Sequence, residues 1–198
     1  DKAVNGAAEA FFSWSKKDPK ERLDLLKKAI QIMMDNADDL AKTVQSELGA
    51  PKDFAKKTHV DGNLEQAMEQ MEMAESLEYK RDEGDHEVWM EPYGVVACLT
   101  PWNYPLGQIT SKVIPALAMG NTVVLKPSSQ TPLTAYRFTE ALIEAGIPSG
   151  VFQMVCGSGS DVGDPLAGHD RVNMVTFTGS TAGGAEIAKT ASEGVKQV

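Results

Sequence analysis

Three short stretches pair polar side chains with the backbone constraints that chemistry requires. Asn103 stands inside Pro101-Trp102-Asn103-Tyr104-Pro105, directly after the apolar run Val95 to Leu99. Two prolines so close together bar both ladder pairing and a continuing helix, so the loop is stiff. A side-chain amide held there presents an N–H donor at a fixed point, as an oxyanion hole requires. The same amide also suits hydrogen bonding to its own loop backbone, as asparagine does in turns. Lys126 closes the next apolar run and leads into Pro127-Ser128-Ser129-Gln130-Thr131. Its ammonium is a compact donor to hydroxyls or phosphate, although an isolated lysine has no meaning by itself. Phe177-Thr178-Gly179-Ser180-Thr181, with Gly184 behind it, reads as a strand end, a close-approach glycine and a helix start. Free N–H groups at such a start suit an anionic pyrophosphate; an ordinary serine N-cap would have the same letters. The G-x-G-x-x-G fingerprint is absent, and Gly157-Ser158-Gly159 is only a fragment of it.

The elements that must position these groups alternate after Gly94. A strand over Val95 to Leu99 is followed by a helix to Met119, closed at Gly120-Asn121. A second strand, Thr122 to Leu125, delivers Lys126. Helix Leu133 to Ala145 ends at Gly146, and strand Val151 to Val155 follows. A short helical piece at Asp161 to Ala167, a strand at Asn173 to Phe177 and a helix from Ser180 to about Thr190 complete the pattern. This alternation predicts a parallel sheet with helices on both faces, and a ligand crevice at the strands' carboxyl ends.

Before Gly94 the periodicity is helical. Ala7, Ala10, Phe11 and Trp14 share one face. Asp18-Pro19 with Glu21 predicts a capped helix start, with a capping-box spacing. Leu23, Leu26 and Ile30 make its buried stripe. Leu40, Val44 and Leu48 predict a further helix ending at Gly49, with Pro51 behind it. A long helix then runs to about Leu77, with Met68, Met71 and Met73 expected as adaptable core. Glu78 to Asp85 is polar and Glu87 to Met90 strand-like, which suits a solvated loop or hairpin.

Net charge −9 over 198 residues argues against nucleic acid or an anionic membrane surface as partner. No apolar run approaches the ~20 residues a membrane span needs. Two cysteines, Cys98 and Cys156, are too few for a disulfide framework, which favours a reducing cytoplasm. Both are expected as small buried hydrophobes. The three histidines are scattered, and no metal site is expected.

Taken in this order and at these separations, PWNYP, LKPSSQTP and FTGST resemble the aldehyde dehydrogenase superfamily, and the similarity covers the whole chain. The resemblance implies a partial NAD(P)-binding domain over 1–198: helices over about 1–77, an oligomerisation hairpin at 78–92, and a Rossmann-like parallel core at 94–198. It implies that Asn103 stabilises the oxyanion formed when a cysteine thiolate attacks an aldehyde. Lys112, nine residues on, is implied to relay a proton near the general base; a solvated helix lysine is the alternative. Thr100, Pro101 and Trp102 are implied to line the cofactor cleft, Lys126 and Ser129 to meet the adenosine ribose, and Gly159 to flank adenine. Gly179, Ser180 and Gly184 are implied to hold the pyrophosphate.

The cofactor implied is NAD or NADP. Many NAD-preferring relatives carry glutamate where Ser129 stands, so NADP is expected to be accepted. The implied partners are an aldehyde substrate and further copies in a homodimer or homotetramer, with Val88 and Trp89 as contacts. The family's general-base glutamate and nucleophilic cysteine fall after the segment resembling Gly194 to Val198, and neither Cys98 nor Cys156 matches the nucleophile. The chain alone is therefore expected to be inactive. Two other readings stand beside this one: a non-catalytic nucleotide-binding or structural protein that keeps the scaffold without the chemistry, and a dehydrogenase that passes the thioester to coenzyme A, against which PWNYP and FTGST fit the hydrolytic branch better.

Overall fold

The computed structural model describes all residues, 1–198. Helix α1 spans Lys2–Trp14, α2 Pro19–Asp35 and α3 Ala37–Leu48. On α1 the buried face is Val4, Ala7 and Trp14, while Ala10 and Phe11 are half-buried. Helix α2 starts as predicted, with Pro19 in its first turn and the Asp18 carboxylate accepting from Lys20 N at 2.8 Å. The expected capping box does not form. Glu21 instead accepts from the Lys17 ammonium at 2.6 Å, an i,i+4 pair on the surface at the helix start. Gly49 ends α3 in the left-handed region, φ 73°.

The long helix after Pro51 has an internal irregularity. A short α4 (Lys52–Phe54) passes into a π-helical turn, Ala55–Asp61, and then α5 (Gly62–Glu75). The wider turn brings residues five apart into register, and Lys56 pairs with Asp61 at 2.6 Å. Asn63 fills the carbonyls that the turn leaves open, donating to Thr58 O and His59 O, both at 3.0 Å. Along α5 the buried stripe is Leu64, Ala67, Met71 and Ala74. Met73 is 69% exposed, against expectation. A stripe stepping by three and four residues leaves position 73 on the outer face.

Two three-residue strands, β1 (Lys80–Asp82) and β2 (Glu87–Trp89), pair antiparallel as a hairpin. The Lys80 ammonium lies 4.8 Å above the Trp89 ring, whose outer surface is exposed. The alternating part follows: β3 (Val95–Leu99), α6 (Pro105–Ala118), β4 (Thr122–Lys126), α7 (Pro132–Ala145) and β5 (Phe152–Met154). A second π-helical turn, Gly159–Gly163, precedes α8 (Asp164–Gly168), β6 (Met174–Phe177) and α9 (Thr181–Ser192). The four long-range strands form one parallel sheet in the order β5-β4-β3-β6.

Successive side chains leave a strand on opposite faces, and here they supply two separate cores. Val96, Cys98, Val123 and Leu125 face the layer of α2, α3, α5, α6 and α7. Val95, Ala97, Leu99, Val124 and Val175 face α1, α8 and α9. Helix α1 thus packs on the sheet itself, and Thr122 Oγ1 donates to Ala7 O at 2.9 Å.

Arg22 ties α2 to α6 within one layer. It is 3% exposed, donates from Nε to Ala118 O at 3.0 Å, and bonds Lys17 O through Nη1. It therefore caps the carbonyl end of α6 just before Gly120. Arg22→Ala would leave that carbonyl buried without a partner, so we expect a loss of about 3 kcal/mol. The check is the urea midpoint at unchanged slope; a change below about 0.5 kcal/mol would show that the cap is dispensable.

Candidate functional site

The strands' carboxyl ends open into a cleft of ≈ 270 Å³. Leu99 and Thr100 come from the end of β3, Lys126 from β4, and Phe177 and Thr178 from β6. Gly183, Glu186 and Ile187 of α9 form one wall, and Gly159, Ser160, Gly163 and Asp164 form another. Pairing persists past the strand ends: Thr100 N donates to Lys126 O and Thr178 N to Leu99 O, each at 3.2 Å. These bonds hold the cleft floor in register.

Lys126, the last residue of β4, is only 8% exposed. Its stem runs beside Gly163, where an added Cβ would sit 3.6 Å from Lys126 Cδ. Its ammonium donates to Pro127 O at 2.9 Å. Burial lowers its pKa from the ordinary lysine value, and nearby Cys156 acts the other way. With a single carbonyl partner, the ammonium retains donors for a ligand. Cys156 is exposed, contrary to expectation. Strand β5 stops at Met154, two residues short of it, so no neighbouring strand or helix covers the thiol.

Ser180 is the N-cap of α9, its hydroxyl accepting from Gly183 N at 3.1 Å. That cap uses the Gly183 N–H, and Gly184 N donates to Ser180 O at 2.9 Å, so the Thr181 and Ala182 N–H groups are the ones left at the positive end of this 12-residue helix. The glycines here have a local reason as well. A Cβ on Gly179 would lie 2.4 Å from Phe177 Cζ, and one on Gly183 3.1 Å from the same atom. Gly184 has more room, 3.6 Å from Phe177 Cε1. The Phe177 ring thus lies over the start of α9, and the absent side chains make space for it.

Of the residues named from sequence, the structure brings Thr100, Lys126 and Gly159 together in the cleft, with Gly179, Ser180 and Gly184 around the adjoining helix start. Pro101, Trp102 and Asn103 follow Thr100 in the loop leading out of β3, with Trp102 and Asn103 exposed. The side-chain hydrogen bonds of the chain leave the Asn103 amide free, so it is not occupied by its own loop. Ser129 is exposed beyond the end of β4.

Lys112 sits half-buried on α6 and lines a separate cavity of ≈ 410 Å³ with Tyr93, Ser111 and Thr176. Burial lowers its pKa, with Cys98 acting in the opposite direction. The buried Cys98 thiol is pushed up to about 12 by desolvation, with Lys112 pulling the other way. Cys98 belongs to the core beside α6, as a buried hydrophobe should.

Sequence reading missed three acidic side chains. Asp164 and Glu186 line the same cleft as Lys126; Glu186 precedes buried Ile187 on α9, and helical spacing was the only signal available. Glu47 clamps the start of α7 from the end of α3. Its carboxylate accepts from Leu133 N, from Thr134 N at 2.9 Å and from Thr134 Oγ1 at 2.6 Å. It thereby anchors the loop that carries Ser129. No group of three or more His, Cys, Asp or Glu side chains is placed to hold a metal ion, and no helix is long and apolar enough to cross a membrane.

All of residues 1–198 match the family described as the aldehyde dehydrogenase family. The chain is 39% identical over 199 residues to a 3-succinoylsemialdehyde-pyridine dehydrogenase of a Pseudomonas species, covering 100% of this chain and 42% of that protein. It is 39% identical over 197 residues to a D-glyceraldehyde dehydrogenase (NADP(+)) of Thermoplasma acidophilum, covering 97% of this chain and 40% of that one. Among solved structures, a mutant of aldehyde dehydrogenase C from Pseudomonas syringae, complexed with NAD+ and octanal, superposes with TM-score 0.97 at 38% identity. That match covers 99% of this chain and 40% of the other. The chain thus spans about two-fifths of the length of the proteins it matches.

Proposed function

This chain belongs to the aldehyde dehydrogenase family, and from that premise we propose that it is the cofactor-binding part of an NAD(P)-dependent enzyme oxidising an aldehyde to a carboxylic acid. The observation that carries the proposal is the cleft in which buried Lys126 and the N-terminal turns of α9 meet across the ends of parallel strands. Its residues fit a dinucleotide. The α9 N–H groups suit a pyrophosphate, and the Lys126 ammonium suits a ribose hydroxyl or a ribose phosphate. The bound nicotinamide supplies the hydride acceptor for the oxidation.

The chain's own residues then have distinct tasks. Asn103 donates its free amide N–H to the oxyanion that forms as a thiolate adds to the aldehyde carbonyl. Lys112, with its pKa lowered by burial, passes a proton to and from the general base that activates water. Thr100, Pro101 and Trp102 carry the chain from the cleft to Asn103 and line the cofactor's path. Val88 and Trp89 on the exposed hairpin are contacts in a homodimer or homotetramer. The nucleophile is neither cysteine of this chain. Cys98 is buried with its thiol pushed up to about 12, which leaves almost no thiolate at neutral pH.

Two results test the reading. Calorimetric titration of the 198-residue chain should show binding of NAD+ or NADP+, weakened roughly tenfold or more in Lys126→Met, the loss expected for one charge-assisted hydrogen bond. The same chain should oxidise no aldehyde. Absence of dinucleotide binding in the folded chain, or turnover that disappears in Cys98→Ser or Cys156→Ser, would each overturn the proposal.

A further inference from the structure

The π-helical turn at Ala55–Asp61 carries a contact that reaches the Asn103 loop. Single π turns inside α-helices are found frequently at functional sites. Here the turn places His59 2% exposed beneath the Tyr104 ring, with centroids 4.5 Å apart and an interplanar angle of 30°. Phe54 meets the same imidazole edge-on at 5.1 Å. Tyr104 is the residue after Asn103 and the N-cap of α6, its carbonyl accepting from Gln108 N at 2.9 Å.

The imidazole is an unusual choice for this place. Its Nδ1 is buried with no hydrogen-bond partner, which is unfavourable. An aliphatic side chain would avoid that penalty. Burial lowers the His59 pKa, so the ring meets Tyr104 as a neutral imidazole. What it offers that leucine does not is a flat aromatic face, which favours an offset-stacked partner. The support beneath is rigid. Asn63 bonds the turn's carbonyls and lies so close to α6 that a Cβ on Gly107 would come within 2.3 Å of Asn63 Oδ1.

We propose that His59 is a positioning residue, holding the Pro101–Pro105 loop through its stack on Tyr104 so that the Asn103 amide keeps one orientation. This rests on the reading of Asn103 as the oxyanion donor. The catalytic part of the effect follows from the sensitivity of such donors to small displacements, where about 1 Å costs up to ~10²-fold.

The test has two independent readouts. In the 198-residue chain, NMR should show the Tyr104 ring-current shifts lost and the Trp102–Tyr104 backbone more mobile in His59→Leu, with both restored in His59→Phe. In the complete protein, His59→Leu should lower kcat roughly tenfold with cofactor affinity unchanged, and His59→Phe should remain near wild type. Tyr104→Leu removes the stack from its exposed side without a core cavity, and His59→Leu added to it should cause no further loss. A loop equally ordered in wild type, His59→Leu and Tyr104→Leu overturns the proposal, as does failure of His59→Phe to restore it. A loosened loop with kcat unchanged upholds the contact and overturns the role given to Asn103.

Discussion

Asn103→Ala is expected to lower kcat of the complete enzyme by roughly 10²–10³-fold, the usual consequence of deleting one oxyanion donor. The expectation rests on three features that the structure combines. The amide is exposed, it is unused by its own loop, and it sits between the end of β3 and the first turn of α6. A donor already committed to the loop would have to break a bond before it could serve. This one does not. Cofactor affinity should hardly change, because the cleft is lined by Lys126, the 159–164 turn and α9, and Asn103 is not among its walls. Single-turnover measurement of the chemical step separates this from slow product release. A wild-type chemical rate in a folded Asn103→Ala protein removes the residue from the mechanism, and a loss shared equally by cofactor binding reassigns it to the architecture of the loop.

The second large effect concerns the choice between NAD and NADP. Ser129 is exposed just past β4, on a loop anchored on its far side by the Glu47 clamp on α7. A carboxylate at this place, about 4 Å from a 2′-phosphate, would be repelled by about 4 kcal/mol at an effective dielectric of ~20. Exposure screens much of this, leaving about 1–2 kcal/mol, or a factor of roughly ten. Serine exerts no such repulsion and can donate a hydrogen bond, while Lys126 supplies positive charge. The structure adds opposing charge in the same cleft, because Asp164 and Glu186 are carboxylates on its walls. We therefore expect NADP to be accepted alongside NAD, and Ser129→Glu to shift the kcat/KM ratio toward NAD by about tenfold. Rejection of NADP a hundredfold or more by the unaltered enzyme would mean that Ser129 does not select the cofactor. An unmoved ratio in Ser129→Glu would mean that position 129 does not face the ribose.

Much of this protein is written in local patterns. Apolar runs bounded by glycine and proline determined β3, β4, α6 and α7 to within a residue or two, because strand and helix periodicity and the punctuation that ends them act over a few neighbours. Asp18-Pro19 foretold the start of α2 and Gly49 the end of α3 for the same reason. The PWNYP, LKPSSQTP and FTGST motifs pointed to a nicotinamide site, and parallel-strand topology then brings Thr100, Lys126 and Gly159 to one cleft.

What the letters could not specify are encounters between residues far apart in the chain. Glu47 caps a helix 86 residues away, and no local rule connects them. Cys156 resembles Cys98 in its apolar neighbourhood, yet only Cys98 has strands on both sides; β5 ends before Cys156 and leaves it in solvent. The π turn that sets His59 beneath Tyr104 is invisible in a helical pattern, because one extra residue per turn changes which side chains face inward without changing the composition. Local sequence determined most of the elements and most of their ends. Tertiary packing decided which polar groups they share, since burial and charge pairing depend on neighbours that only the folded chain supplies.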